Sequence, residues 1–173
     1  MAGNAIVKKI DPLMKSSLVP DSLTEALKKR CGAFVSIYVN QELRGCIGTF
    51  SEEDPLYENV MKMAVSAATE DLRFTPVRPH ELSLLKLEIS ILTPRQRIYD
   101  PSEIVIGKHG IYMKKGSNRG TLLPQVAVDQ NWSVKELLGH CARNKAGIGW
   151  DGWKNAELYI YEAIVLQSES PLF

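Results

Sequence analysis

The stretch that decides the fold is Leu43-Arg44-Gly45-Cys46-Ile47-Gly48-Thr49-Phe50, in which two glycines flank a cysteine. The stretch predicts a strand, although glycine weakens a strand because it offers no side chain to pack. A glycine inside a strand usually marks a bulge or the close approach of another backbone. Gly45 and Gly48 therefore indicate one of two things. Either Cys46 has open space in which to meet a ligand, or a neighbouring helix crowds the strand.

The segments on both sides of this stretch predict a hairpin followed by a helix. Residues 33–39 are rich in β-branched and aromatic side chains and predict a first strand. Residues 40–42 form a short turn, so the stretch 43–50 returns as the second arm. Pro55 marks the start of a helix that runs to about Thr69. We expect this helix to crowd Gly45 and Gly48, because its small residues allow a close approach: Ala64, Ala67 and Ala68.

The rest of the chain predicts an α+β fold, with a mostly antiparallel sheet and flanking helices. Alternating polarity indicates a strand over residues 85–92, and Ser133 with Glu136 forms a capping box that opens a helix. Two further helices are expected at residues 2–17 and just after residue 22, the second of which would bury Leu23, Ala26 and Leu27. Residues 95–110 are expected to be a connection, and the remaining extended segments are residues 110–115, 121–128 and 157–167. Within residues 121–128, Pro124 indicates that the segment is an edge strand or is interrupted.

Composition restricts the class of protein. The chain has 173 residues, of which 45% are apolar and 24% charged, as in a soluble domain with its own core. A formal charge of +1 gives no global field that favours nucleic acid or an anionic membrane. No apolar run approaches the roughly 18 residues of a membrane helix. The three cysteines lack close spacing and fit the reducing cytoplasm. We expect residues 1–173 to form a single domain. The first predicted helix begins directly after Met1, which is compatible with a piece of a longer or fused chain.

The hexapeptide Leu-Arg-Gly-Cys-Ile-Gly at residues 43–48 resembles the signature of the AMMECR family, called protein A of the AmmeMemoRadiSam system in prokaryotes. The resemblance extends over about residues 20–165, because further motifs stand in the expected order. These motifs are Gly32–Val35, Ser66–Thr69, Asp71, Arg73-Phe74, Pro76, Ile89–Pro94, Gly107–Ile111, Leu122–Ala127 and Lys145–Gly147.

This resemblance implies an α+β fold with a larger and a smaller subdomain and a groove between them. It also implies that the protein acts with a Memo-like protein and a radical-SAM protein. The resemblance assigns no biochemical activity. The cysteine pattern of a radical-SAM cluster is absent from this chain, so that chemistry would belong to the partner.

Cys46 is the sharpest candidate for chemistry. A cysteine acts as a nucleophile only as a thiolate, which needs a nearby positive charge, a helix N-terminus or a metal. In a regular strand Arg44 points to the same face as Cys46 and would supply that charge. The alternative is a small buried thiol under the helix at residues 55–69, since free cysteine is among the most buried residue types.

A nucleophilic thiol needs a base, and His109 is the best of the three histidines because glycines surround its loop. Its alternative is a turn histidine that bonds its own backbone. Arg73 either pairs with Asp71 or Glu70 in a structural turn or binds an anion. The predicted catalytic residues are thus Cys46 and His109, and the predicted ligand-binding residues are Arg44, Gly45, Gly48, Arg73 and Lys108.

Three functions stay open at this point. The first is an enzyme or binding protein whose groove beside Cys46 takes a small anionic or peptide-like ligand. The second is a non-catalytic module that docks on the Memo-like or radical-SAM partner. The third and weakest is association with nucleic acid, which the net charge disfavours. We predict no metal site, because the cysteines and histidines lack the paired close spacings of zinc ligands, and no cofactor.

Overall fold

The computed structural model describes residues 1–11 and 23–168, which divide into two compact units: residues 1–11, 23–92 and 164–168 form the first, and residues 93–163 form the second. The helices are α1 (Ala2–Ile10), α2 (Glu25–Lys28), α3 (Leu56–Thr69), α4 (Pro124–Asp129) and α5 (Val134–His140). The strands are β1 (Ala33–Val39), β2 (Glu42–Thr49), β3 (Leu85–Leu92), β4 (Gln96–Ile98), β5 (Gly110–Lys115), β6 (Asn118–Leu122), β7 (Glu157–Tyr161) and β8 (Ala163–Gln167). Within these described residues, no helix is both long and apolar enough to cross a membrane.

The first unit is a four-stranded sheet in the order β2-β1-β3-β8, with α3 packed on one face and α1 packed against α3 in the same core. Alternate residues of β1 point into this core, and Ala33, Val35 and Ile37 are fully buried. The helix α3 turns Ala64 and Ala67 toward the sheet. These small side chains bring the backbone of α3 close to the sheet, which sets how much room each residue of β2 has.

A bulge in the β1–β2 hairpin decides which side chains of the two strands face each other. Asn40 and Gln41 form a two-residue turn with φ of 51° and 69°, and Val39 pairs with Glu42. Continued without a break, this register would place Ser36 opposite Gly45. Instead the pairing shifts after Tyr38, so that Ile37 lies opposite Gly45 and Ser36 opposite Cys46. Arg44 is the extra residue of the bulge.

The second unit has its own four-stranded sheet, in the order β4-β7-β5-β6, with antiparallel neighbours. One face of this sheet packs on α4 and α5, where Met113, Leu137 and Leu138 are fully buried. After α5 the backbone continues as a π-helical turn over Cys141–Lys145. The other face of the sheet carries polar and aromatic side chains.

Several elements match the sequence-based predictions. The α+β fold is confirmed, as are the hairpin, the helix α3 that ends at Thr69 and the strand β3 at Leu85–Leu92. Ser133 caps α5 and accepts a hydrogen bond from the backbone N–H of Glu136, as its capping box predicts. The predicted groove between two subdomains stays a prediction.

Two predicted strands are wrong in extent. The segment predicted as extended over residues 121–128 stops at Leu122, and Pro124 begins α4. Proline suits the first turn of a helix, because the N–H that it lacks has no helical partner there. The last strand, predicted as continuous over residues 157–167, breaks at Glu162. Its halves enter different sheets, β7 in the second and β8 in the first.

Three smaller expectations also differ. The connection predicted over residues 95–110 contains the short strand β4. The helix α2 has a single turn with no buried residue, so Ala26 is exposed rather than buried; four residues are too few to form an apolar stripe. The first helix ends at Ile10, and the predicted remainder includes residues 12–17, which lie outside the described residues.

Candidate functional site

Cys46 lies in the middle of β2, and its half-buried thiol points away from the α3 side of the sheet. The hydroxyl of Ser36, opposite it on β1, donates a hydrogen bond to Sγ at 3.3 Å. Ser36 was not predicted as a site residue. The only sequence signal is a serine within the otherwise apolar run of β1, and its partner becomes visible only when the bulge sets the register.

The two glycines around Cys46 are crowded by different neighbours. A β-carbon at residue 45 would overlap the backbone carbonyl of Ala67 in α3, as predicted. At residue 48 the prediction of crowding by α3 is wrong, because a β-carbon there would overlap the ring of Phe34 on β1. Gly48 belongs to the face opposite to α3, so the helix does not reach it. The part of Gly45 and Gly48 in ligand binding stays a prediction.

A buried carboxylate anchors the site to the turn after α3. Asp71 Oδ2 accepts a hydrogen bond from the backbone N–H of Cys46 at 2.9 Å and another from Nη2 of Arg73 at 2.7 Å. Oδ1 accepts from Nε of Arg73 at 2.9 Å. These bonds, above all those from the Arg73 guanidinium, hold the pKa of Asp71 well below its usual range although burial opposes them. Asp71 therefore remains an anion that fixes both β2 and Arg73.

Arg73 is the guanidinium that contacts Cys46. Its Nη2 donates to the carbonyl oxygen of Cys46 at 3.0 Å, and its side chain lies 5.4 Å over the ring of Phe74 while 53% of it is exposed. The hydrogen bonds that Arg73 donates to Asp71, with a smaller electrostatic contribution from Cys46, raise the pKa of Arg73 although burial opposes them. The two alternatives for Arg73 are therefore compatible: it pairs with Asp71 and still presents charge to solvent.

Arg44 makes a different set of contacts. It donates from Nε to Glu81 Oε1 at 2.8 Å and from Nη2 to Oε2 at 3.2 Å, and it also bonds the carbonyl oxygens of Thr75 and Pro76. Only 17% of its side chain is exposed. Burial opposes ionisation of Glu81, but the bonds from Arg44 and from the N–H of Arg78 lower its pKa. As a ligand-binding residue, Arg44 stays a prediction.

Two predicted site residues lie in the other unit. Lys108 forms an ion pair with Glu162 at 3.3 Å, and both side chains are more than half exposed. Nδ1 of His109 accepts a hydrogen bond from the backbone N–H of Val105 at 3.1 Å. This bond makes Nδ1 the acceptor nitrogen, so a neutral His109 carries its proton on Nε2. Both residues stay predictions as parts of a site with Cys46.

The other cysteines have different surroundings. Cys141 is fully buried, and burial raises the pKa of its thiol to about 12, which keeps it protonated. Cys31 is half-buried, and burial together with the charge of Glu52 raises the pKa of its thiol. Among residues 1–11 and 23–168, no cluster of three or more histidine, cysteine or acidic side chains is arranged to hold a metal ion.

The surroundings of Cys46 define what the site is able to do. The thiol has a hydroxyl donor opposite it, and a fixed guanidinium that is able to attract an anion lies against the backbone of the same residue. The sequence model of the AMMECR1 family matches residues 2–166. The chain belongs to the AMMECR1 family.

This AMMECR1 chain is similar over most of its length to individual proteins of several organisms. It is 40% identical to Protein MK0488 of Methanopyrus kandleri over 99% of the chain and 86% of that protein. It is 37% identical to Protein MJ0810 of Methanocaldococcus jannaschii over 92% of the chain and 84% of that protein. The crystal structure of the uncharacterized protein PH0010 from Pyrococcus horikoshii has a similar fold. Its TM-score is 0.87 at 31% identity, covering 98% of this chain and 89% of that one.

Proposed function

We propose that this AMMECR1 chain binds a small anionic or peptide-like ligand beside Cys46, in the cytoplasm, with Cys46 as nucleophile or covalent carrier. Arg73 receives the anionic group of the ligand and Asp71 holds Arg73 in position. Ser36 donates a hydrogen bond to the sulfur. The ligand carries a carboxylate or a phosphate, because hydrogen bonds from a charged guanidinium to these anions are stronger than those between neutral groups.

A single observation carries this proposal: the guanidinium of Arg73 is both held against Cys46 and half exposed. Its bonds to Asp71 use Nε and Nη2. Among the described residues, Nη1 has no hydrogen-bond partner, so it remains available to a ligand. Because the Arg73 side chain is already held in place before the ligand arrives, binding costs little entropy for ordering that side chain.

The predicted base for Cys46 requires a further condition. His109 has its acceptor nitrogen engaged by the N–H of Val105. In this tautomer Nε2–H donates a hydrogen bond, and neither ring nitrogen is free to take a proton from a thiol. If His109 acts with Cys46, we therefore expect it to hold the ligand through Nε2–H rather than to act as a base.

Alkylation with a neutral and an anionic reagent tests the proposal. In a Cys31→Ser background, folded protein is treated with iodoacetamide or with iodoacetate, and mass spectrometry locates the product. In each reaction the thiolate of Cys46 displaces iodide and forms a thioether. We expect Arg73→Gln to slow the iodoacetate reaction about 2- to 5-fold relative to the iodoacetamide reaction, the range of an exposed ionic attraction. Arg73→Lys should retain most of the preference.

Two results would contradict the proposal. A Cys46 that resists iodoacetamide in the folded protein is not available as a nucleophile. An iodoacetate-to-iodoacetamide ratio that Arg73→Gln leaves unchanged means that Arg73 does not recruit anions to the thiol. Circular dichroism of each variant, compared with that of the parent, establishes that the fold is retained.

A second candidate function is docking on a Memo-like or radical-SAM protein, and it is favoured by Leu72. This side chain is 100% exposed and stands between Asp71 and Arg73. A Leu72→Asp variant should lose capture of the partner in a pulldown. Leu84→Asp, a matched change at a residue that is 43% exposed in the same unit, should not. Equal capture by both variants and the parent would count against docking at Leu72.

A further inference from the structure

The outer face of the second sheet has an unusual combination of side chains. Residues that lie directly opposite each other in neighbouring strands point to the same face, so the register defines its rows. One row runs through Arg97 of β4, Tyr159 of β7 and Tyr112 of β5. The next row contains Lys114 and Arg119. This face is opposite to the one that packs on α4 and α5.

Aromatic rings occupy the middle of this face. Tyr112 and Tyr159 are half-buried neighbours on adjacent strands, with ring centroids 5.9 Å apart and planes at 67°. Tyr99 follows directly after β4 and is 83% exposed. Neighbouring strands are about 4.8 Å apart, so Tyr112 and Tyr159 form a pair of adjacent rings across two strands. Aromatic rings that reach the surface of a sheet are suited to stacking against other flat groups.

Cationic side chains surround these rings. The guanidinium of Arg95 lies 4.6 Å over the ring of Tyr112, and that of Arg97 lies 5.2 Å over the ring of Tyr99. At the outward positions of the four strands, all of which are described, Glu157 is the sole acid, and it accepts a hydrogen bond from Tyr159 and lies 3.7 Å from Arg97. Against this acid, the outward strand positions carry Arg97, Lys114 and Arg119, so they are net positive although the whole chain carries only +1.

We propose that this face binds single-stranded nucleic acid, with bases stacked on Tyr112 and Tyr159 and phosphates held by Arg97, Lys114 and Arg119. Charges act over about 8–10 Å at physiological salt, so the local excess of cations matters more than the total charge. Stacking requires unpaired bases, because the bases of a duplex present only their edges. Flat rings among cations thus favour a single strand over a duplex or an acidic protein.

Fluorescence anisotropy with labelled oligouridine and oligothymidine of about 15 nucleotides tests the proposal, since single-strand sites span up to about 16 nucleotides. For three phosphate contacts we expect binding to weaken about 20-fold between about 50 and 200 mM salt. Tyr112→Leu should weaken binding about 5- to 150-fold, the range for loss of one stacked base. Tyr112→Phe keeps the ring and should bind as the parent does. The RNA and DNA arms show whether the strand's sugar matters.

A matched pair of lysine variants separates this face from general attraction to polyanions. Lys114→Gln removes a charge on the face. It should reduce the steepness of the plot of log binding constant against log salt concentration by about 0.7. Lys135→Gln removes the same charge from an exposed position on α5, which packs on the opposite face, and should leave the slope unchanged. The proposal is overturned if neither oligonucleotide binds at about 50 mM salt, or if Lys114→Gln and Lys135→Gln weaken oligonucleotide binding equally. Tighter binding of a duplex or equal binding of polyglutamate would also overturn it.

Discussion

Arg44 and Arg73 each bind a carboxylate next to β2, yet they differ in how much of the side chain reaches solvent. Arg44 is 17% exposed and its partner Glu81 is 15% exposed, while Arg73 is 53% exposed and its partner Asp71 is 4% exposed. Arg44 is thus enclosed with its partner, whereas Arg73 lies at the surface above a buried one. Residue type alone does not distinguish an arginine that holds the fold from one that is able to bind a ligand.

The remaining donors of each guanidinium explain the difference. Arg44 also bonds the carbonyl oxygens of Thr75 and Pro76, so it closes the segment before the 3-10 helix Pro79–Leu84 onto β2. Arg73 donates its remaining hydrogen bond to the carbonyl oxygen of Cys46 itself. Exposure and the count of internal partners, both properties of the folded chain, therefore separate the two roles.

The largest effect on stability is expected at Gly45, because the contacts of both Arg44 and Arg73 depend on the position of β2. Gly45→Ala would place a methyl group on the backbone carbonyl of Ala67, so β2 must shift away from α3. We expect a loss of about 3 kcal/mol in the free energy of unfolding, measured by urea denaturation. Gly48→Ala meets the ring of Phe34, which is able to move, and should lose about 1–2 kcal/mol. A smaller loss for Gly45→Ala than for Gly48→Ala would contradict the close approach of α3.

Replacing each arginine in turn by methionine tests the difference between Arg44 and Arg73 directly. Arg44→Met leaves the partly buried Glu81 without its charged partner and should lower the free energy of unfolding by about 2 kcal/mol. It should leave the iodoacetate-to-iodoacetamide ratio at Cys46 unchanged. Arg73→Met should lower that ratio about 2- to 5-fold. The reverse pattern of ratios would mean that Arg44, as the strand pattern predicts, is the charge that acts at the thiol.

The pH dependence of stability tests the role of Asp71. The fold lowers its pKa below the unfolded value of about 4, so the carboxylate stabilises the protein at every pH above about 4. This contribution is lost as the pH falls from about 4 toward the lowered pKa. At pH 7 we expect Asp71→Asn to cost about 2 kcal/mol in urea denaturation. The difference from the parent should shrink below about pH 4; a difference that is constant with pH would mean that the charge of Asp71 is not involved.

The sequence predicts those parts of the site that depend on local patterns. Residues 33–39 are rich in β-branched and aromatic side chains, residues 85–92 alternate in polarity, and both segments become strands. Pro55 precedes a helix whose small residues indicate the close approach that Gly45 accommodates. Each of these signals lies within one element or between two neighbours along the chain. The Arg73–Asp71 pair is equally local, since its members are two residues apart.

The remaining features depend on register and on distant contacts. The two-residue turn after Val39 implies that Ser36 faces Gly45, and only the bulge at Arg44 brings it opposite Cys46. The same bulge interrupts the alternation from which Arg44 was expected to face the thiol. The partner of Arg44, Glu81, is 37 residues away in a 3-10 helix that no pattern connects to β2. A single inserted residue therefore changes which side chains surround the cysteine.

The smallest effect on stability is expected for Ser36→Ala. This variant tests whether the hydroxyl of Ser36 or the guanidinium of Arg73 has the larger influence on the thiol of Cys46. Ser36→Ala removes a weak donor and should change the free energy of unfolding by less than about 0.5 kcal/mol. The alkylation rate of Cys46 by iodoacetamide should fall about 2- to 5-fold, because a hydrogen bond of about 0.5–1 kcal/mol to the thiolate is lost. Ser90→Ala, a buried serine on the same face of β3, is the matched control and should leave the rate unchanged. If Ser36→Ala leaves the rate unchanged while Arg73→Met lowers the reagent ratio, then the thiol responds to the charge of Arg73 and Ser36 only fills the space opposite Cys46.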